Sequence, residues 1–263
     1  MRSSYERETK PVRVEVDPPD FYSQLSTMNS GHAEAIKANY AQVRAQFEDA
    51  VSASGRSSEE VELMVVSKTW SAEVVSTVAE LGHRVFGENR LQEGQEKIPV
   101  MEETFSNLDW HFIGTLQRNK VRKVLPLFGT IHSLSGLKLA QAVDRIAGEL
   151  GMKAQGYLEV NLGEEASKHG FSPSDLTDNA AVFAQFQHLR LQGLMCIPPQ
   201  SKEKEPRVWF SELRELRDKL VGETGLALPG LSMGMSGDFA EAIAEGSTVV
   251  RVGSAIFGAR EKK

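Results

Sequence analysis

The sequence predicts an α/β protein built as a single (β/α)8 barrel, and three observations carry that prediction. Short apolar runs alternate with amphipathic segments at roughly 20–40 residues per unit, the spacing of repeated strand–helix pairs. About eight such units follow one another, the number that a closed parallel barrel requires. The first strand ends in Ser67-Lys68-Thr69 without a glycine, whereas a doubly wound open sheet places a glycine-rich phosphate loop there.

Residues 1–30 are polar, contain prolines and lack any period, which predicts a flexible N-terminal extension preceding a barrel domain over 31–263. Ile36, Tyr40, Val43, Phe47 and Val51 recur at three- and four-residue steps, marking an amphipathic helix that Gly55 stops. Strands are expected at Glu62–Ser67, Arg84–Gly87, Trp110–Gly114, Thr130–Leu134, Gly156–Leu162, Leu191–Ile197, Gly230–Met233 and Val249–Val252. Helices are expected between them at Ala72–Leu81, Leu91–Met101, Lys120–Leu127, Leu137–Leu150, Ser174–Phe186, Arg207–Val221 and Phe239–Ala244. The polar, proline-flanked stretch Pro198–Pro206 is expected as a surface loop at the barrel mouth.

Composition narrows the function classes. The chain is 40% hydrophobic and 25% charged, ordinary for a globular protein. Its formal charge of -6 argues against nucleic-acid binding, which needs a basic surface. Any bound anion must therefore be held by a local site. The one cysteine, Cys196, allows no internal disulfide. No apolar run approaches the roughly 20 residues that span a membrane, and the N-terminus lacks a secretory signal. A cytoplasmic protein without membrane contact is expected. The six histidines show no HxH or HExxH spacing, so no metal site is expected. No G-x-S-x-G elbow is present.

Several residues nevertheless point to chemistry. Lys68 directly follows the β-branched run LMVVS. An ammonium at a buried strand end pays a desolvation cost that lowers its pKa and makes it a usable nucleophile toward aldehydes. The alternative is a lysine that snorkels to solvent. Downstream, Leu231–Asp238 joins a strand to a helix through Ser236 and Gly237, with Ser236 as the expected N-cap and Gly246 as the stop. Arg251-Val252-Gly253-Ser254 repeats that arrangement. Loops after the seventh and eighth strands of barrels often hold phosphate; two ordinary capped turns are the alternative. Arg251 lies in an apolar strand, so its guanidinium needs an acceptor, either a protein oxygen or a ligand atom. Asn89 ends the second strand, able to hydrogen-bond a ligand or cap the next helix. His111, set among aromatics, is expected as a satisfied core residue. Lys168, in the loop after the fifth strand, offers a second amine near the mouth.

Together these segments resemble the pyridoxal 5′-phosphate (PLP) homeostasis protein family, also called the YggS/PROSC family. The resemblance runs through VVSKTW (65–70), FGENRLQE (86–93), WHFIGTLQRNK (110–120), IHSLSGLKLA (131–140) and EVNLGEEASKHGF (159–171). It continues through GLMCIPP (193–199), LSMGMSGDFAEAIAEGST (231–248) and VRVGSAIFGAR (250–260). It implies a barrel similar to the N-terminal domain of alanine racemase, with PLP as cofactor held by Lys68 as a Schiff base. By the same resemblance Ser232, Ser236, Gly253 and Ser254 meet the phosphate, Arg251 meets the pyridine nitrogen, Asn89 lies near the ring and Lys168 is the family's second lysine. Trp70 and Thr115 depart from the usual pattern, the latter where proline is common.

An arginine cannot accept the ring proton that makes PLP a strong electron sink. Racemases with this arginine use a second base from a C-terminal β-domain, and this sequence ends just after the barrel. The resemblance therefore implies a non-catalytic, monomeric PLP carrier acting in vitamin B6 homeostasis, with apo PLP-dependent enzymes as possible acceptors. A PLP enzyme with weak amino-acid racemase activity is the alternative.

Overall fold

The computed structural model describes residues 30–163, 169–199 and 204–258. The expected extension lies outside these residues except for its last member, and Lys168 lies outside them altogether.

Eight parallel strands close a barrel in chain order, each pairing with its sequence neighbours and the last pairing with the first. The order is α1 (Ser30–Ala53), β1 (Glu62–Val66), α2 (Ala72–Glu80), β2 (Val85–Glu88), α3 (Leu91–Glu102) and β3 (Asp109–Phe112). Next come α4 (Val121–Val124), β4 (Thr130–Leu134), α5 (Leu137–Glu149), β5 (Ala154–Glu159), α6 (Pro173–Asp178) and α7 (Ala180–Phe183). The chain continues through β6 (Leu189–Met195), α8 (Pro206–Thr224), β7 (Gly230–Met235), α9 (Phe239–Ala244), β8 (Val249–Val252) and α10 (Ser254–Phe257).

The periodic residues of α1, Ile36, Tyr40, Val43, Phe47 and Val51, are all buried. They seat α1 against α9, α10 and α2, so it covers the seam where β8 meets β1. Each such side chain contributes about 1.5–3 kcal/mol when fully buried. The main core lies between sheet and helices, around Phe86, Leu134, Leu158, Phe210 and Leu231. A smaller apolar cluster of Met64, Tyr157, Met195 and Val249 lies apart from it.

The helix expected over Ser174–Phe186 is two helices. Ser172 caps α6 through a capping box, and the Asn179 side-chain amide donates to the Asp175 carbonyl at 2.7 Å, ending α6 after little more than one turn. The helix expected over Lys120–Leu127 shrinks to α4, because Pro126 has no N–H to extend it. β5 and β6 begin two residues earlier than expected, and β7 ends two later.

Cys196, just past β6, is 1% exposed, and burial pushes its thiol up to about 12. The native protein is expected to resist a water-soluble thiol reagent at pH 8 and to react stoichiometrically in denaturant. Rapid modification of the folded chain would contradict this environment. Among the described residues, no helix is long and apolar enough to cross a membrane.

Candidate functional site

Four contiguous strands, β7, β8, β1 and β2, bring the sequence-predicted residues together at the C-terminal end of the barrel. Lys68 follows β1, Asn89 follows β2, Ser236 follows β7, and Gly253 and Ser254 follow β8, with Arg251 inside β8.

Lys68 is half-buried, and both its neighbours are held. Ser67 is 0% exposed; its amide donates to the Gly87 carbonyl at 3.0 Å and its hydroxyl to Glu88 Oε1 at 2.7 Å. On the other side the Thr69 amide donates to Glu93 Oε2 at 2.6 Å. Thr69 has φ 73°, a left-handed conformation that a β-branched residue adopts only when its surroundings impose it. The backbone at Lys68 is thus fixed by carboxylates from β2 and α3.

Beneath Lys68 lies a buried ion pair that the sequence reading missed. Lys97 of α3 donates to Glu88 Oε1 and, at 2.9 Å, to the Ser67 carbonyl. Glu88 and Lys97 are 0% and 4% exposed. Burial raises the Glu88 carboxyl above its ordinary range, with Lys97 and Ser67 opposing that rise. Lys97 shares the inward face of α3 with Leu91, Gly94, Ile98 and Met101, a lysine on an apolar stripe that could have signalled the pair.

Ser236 and Ser254 bring their hydroxyls to 3.3 Å of each other across the ends of β7 and β8. The first amides of α10 have no acceptor within the helix. Gly253 lets the end of β8 pack closely on β1, where a Cβ would come within 2.8 Å of the Val66 carbonyl oxygen. Two expectations need correction. Ser236 is not the N-cap of α9; Asp238 occupies that position, its Oδ1 accepting the Met235 amide at 2.6 Å. Ser232 does not join the serine cluster. It points into the barrel, is 0% exposed, and its hydroxyl oxygen accepts from Arg251 Nη1 at 2.6 Å.

Arg251 also donates through Nη2 to the Cys196 carbonyl at 3.0 Å. Burial pulls its guanidinium below the ordinary value. Among the described residues no carboxylate lies within ion-pair distance of it; two protein oxygens accept from it, and its remaining N–H groups are donors for a ligand acceptor. Asn89 Oδ1 is buried without a hydrogen-bond partner. Its main chain is fixed by Gly114, where a Cβ would fall 2.0 Å from the Asn89 carbonyl oxygen. An orphaned acceptor at the strand ends is the kind of group that a ligand satisfies. His111 is buried and hydrogen-bonded to Asp109 and His132, in keeping with a satisfied core histidine. Among the described residues no cluster of His, Cys, Asp or Glu is arranged to hold a metal ion.

The arrangement offers an amine, a pair of hydroxyls beside free helix amides, an unpaired amide oxygen and a donor-only cation. That set suits a small phosphorylated ligand carrying a carbonyl and a polar ring.

Known proteins share this architecture. The family model described as alanine racemase, N-terminal domain, matches residues 32–261. The pyridoxal phosphate homeostasis protein of Escherichia coli (strain K12) is 40% identical over 233 residues, 86% of this chain and 97% of that protein. The protein of the same name from Aquifex aeolicus (strain VF5) is 39% identical over 217 residues, 82% of this chain and 94% of that one. The structure of PipY from Synechococcus elongatus PCC7942 with PLP bound has 36% identity and a TM-score of 0.76, covering 85% of this chain and 100% of that one. Alanine racemase of Clostridium difficile 630 shares the fold at 15% identity and a TM-score of 0.66, with 88% of this chain matching 58% of that one. This chain belongs to the pyridoxal phosphate homeostasis protein family and carries the alanine racemase N-terminal domain.

Proposed function

We propose that this chain binds PLP reversibly through the Lys68 amine and serves intracellular PLP homeostasis as a carrier rather than a catalyst. The observation that carries this is the convergence of Lys68, Asn89, Ser236, Gly253, Ser254 and Arg251 at the ends of four adjacent strands. The residues fit the cofactor: Asn89 Oδ1 lacks a partner, and the paired hydroxyls sit beside the first amides of α10. When bound, PLP supplies an aldehyde that condenses reversibly with an amine.

The remaining chemistry belongs to the protein. The carboxylates that hold Ser67 and Thr69 orient Lys68. Ser236, Ser254 and the α10 amides bind the phosphate dianion. Arg251 offers a donor to the ring nitrogen and takes no proton from it, which keeps the ring a weak electron sink. Ser232 acts one step behind, through Arg251. Lys168 is proposed as the second amine that assists release to apo PLP-dependent enzymes. The protein is proposed to act as a cytoplasmic monomer.

The test is borohydride reduction of the purified protein followed by peptide mass mapping. A phosphopyridoxyl group on Lys68 is expected. An unmodified Lys68 after incubation with excess PLP would overturn the proposal. Racemisation of D- or L-amino acids that disappears in Lys68→Ala would replace the carrier with an enzyme.

A further inference from the structure

A continuous chain of hydrogen bonds crosses the barrel interior. It begins at Asp109, the first residue of β3, whose side chain is 54% exposed at the N-terminal end of the barrel. Asp109 Oδ2 lies 3.0 Å from His111 Nε2, and His111 Nδ1 lies 2.9 Å from His132 Nε2. His132 Nδ1 is 2.8 Å from Ser232 Oγ, which in turn is 2.6 Å from Arg251 Nη1. β3, β4, β7 and β8 each contribute to it.

One direction gives every link a donor and an acceptor. A guanidinium only donates, so Ser232 Oγ accepts from Arg251 and its own hydrogen is available to His132 Nδ1. His132 is 0% exposed, and burial, with His111 and Arg251 nearby, drives its pKa well below the usual range. It is therefore neutral and carries its proton on Nε2, which donates to His111 Nδ1. From the other end, the Asp109 carboxylate, held below its ordinary range chiefly by the bond to His111, only accepts. His111 then donates from Nε2, and its Nδ1 accepts the His132 proton.

We infer that Asp109, His111, His132 and Ser232 form a directional relay that positions Arg251 for its contact with the ligand ring, anchored by a carboxylate at the opposite end of the barrel. This rests on the reading that Arg251 meets the PLP ring. Every hydrogen of the relay points away from Arg251, so a lone pair always faces the guanidinium. A buried cation with no carboxylate at contact distance among the described residues is thereby held in one orientation, and each bond polarises the next. Tyr157 stacks on His132 with ring centroids 4.5 Å apart, which restrains the ring. Glu62 faces the His111–Asp109 end, while Glu159, Asp238 and Cys196 face Arg251.

The test uses ¹⁵N-histidine NMR of the full chain without ligand, then PLP titration. In the native protein His132 is expected as the neutral Nε2–H tautomer. Asp109→Ala removes the terminal acceptor and is expected to give mixed tautomers at His132 and to weaken PLP binding about 2- to 10-fold. Asp109→Asn keeps an acceptor oxygen and is expected to restore both. An Nδ1–H or doubly protonated His132, or an Asp109→Ala variant with native tautomers and native affinity, would overturn the relay. Native tautomers that respond to Asp109→Ala in a protein that takes up no PLP would instead support the relay and overturn the cofactor assignment.

Discussion

Replacing Lys68 by alanine is expected to leave a folded protein from which the borohydride-stable PLP adduct has disappeared. The fold should survive because the main chain on either side is held by the hydroxyl and amide of Ser67 and the amide of Thr69. Lys68 itself is half-buried at a strand end, where truncation opens toward the mouth rather than into the core. Some non-covalent affinity should remain, since each hydrogen bond to a charged group contributes about 1.5–3 kcal/mol. Ser236, Ser254 and Arg251 would supply such bonds. Lys68→Arg separates charge from nucleophilicity. It keeps a cation near the phosphate but has no amine to condense, so the adduct should be lost while weak, salt-sensitive binding persists. The measurements are visible absorbance, adduct mapping and equilibrium dialysis of PLP. An adduct formed as fast and as fully on another lysine in Lys68→Ala would place the attachment elsewhere.

The barrel and its mouth were legible because their signals are local. A lysine after LMVVS, two serine–glycine strand ends and an arginine within VVRV each stand out against an apolar run. Barrel topology then brings strand ends together whatever the helices between them do. Partnerships across the barrel were not legible. His132 lies in a strand buried along its whole length, and its ring bridges residues 21 and 100 positions away. Periodicity shows which face is inside but not which polar groups meet there. Ser232 and Ser236 stand together by the family resemblance, yet Ser232 lies inside β7 with a buried hydroxyl, while Ser236 lies past the strand's end, beyond a register shift between Ser232 and Met235. Asn179 broke a helix through a single side-chain-to-backbone bond, a local competition that an averaged apolar pattern passes over. The Glu88–Lys97 pair joins the end of β2 to the middle of α3; the apolar stripe hints that Lys97 turns inward but not which carboxylate it meets.

That pair is where the largest loss of stability is expected. Lys97→Met removes the cation and leaves Glu88, 0% exposed, without its charge partner. Breaking one side of a buried ion pair costs about 3–5 kcal/mol, which in a domain of this size lowers the melting temperature by roughly 10 °C. The loss should depend on pH. Burial already raises the Glu88 carboxyl above its ordinary value of 4.5, and Lys97 opposes that rise, so removing Lys97 raises it further. A carboxyl whose folded pKa lies above its unfolded one binds its proton more tightly when folded. Its favourable contribution is present below about 4.5 and is lost as pH climbs through the raised value. Lys97→Met should therefore be nearly as stable as the parent in mild acid and fall behind it progressively toward pH 8. Glu88→Gln added to Lys97→Met removes the stranded charge, still accepts the Ser67 hydroxyl, and should recover most of the loss with no pH slope. Because Lys97 and Glu88 also hold Ser67, the single variant should form the Lys68 adduct more slowly near neutral pH. Denaturant melts of the three proteins from pH 5 to 8 decide the matter. A single variant within 0.5 kcal/mol of the parent throughout, about the range of an ordinary surface substitution, would show that the pair neither stabilises the barrel nor fixes the backbone at Lys68.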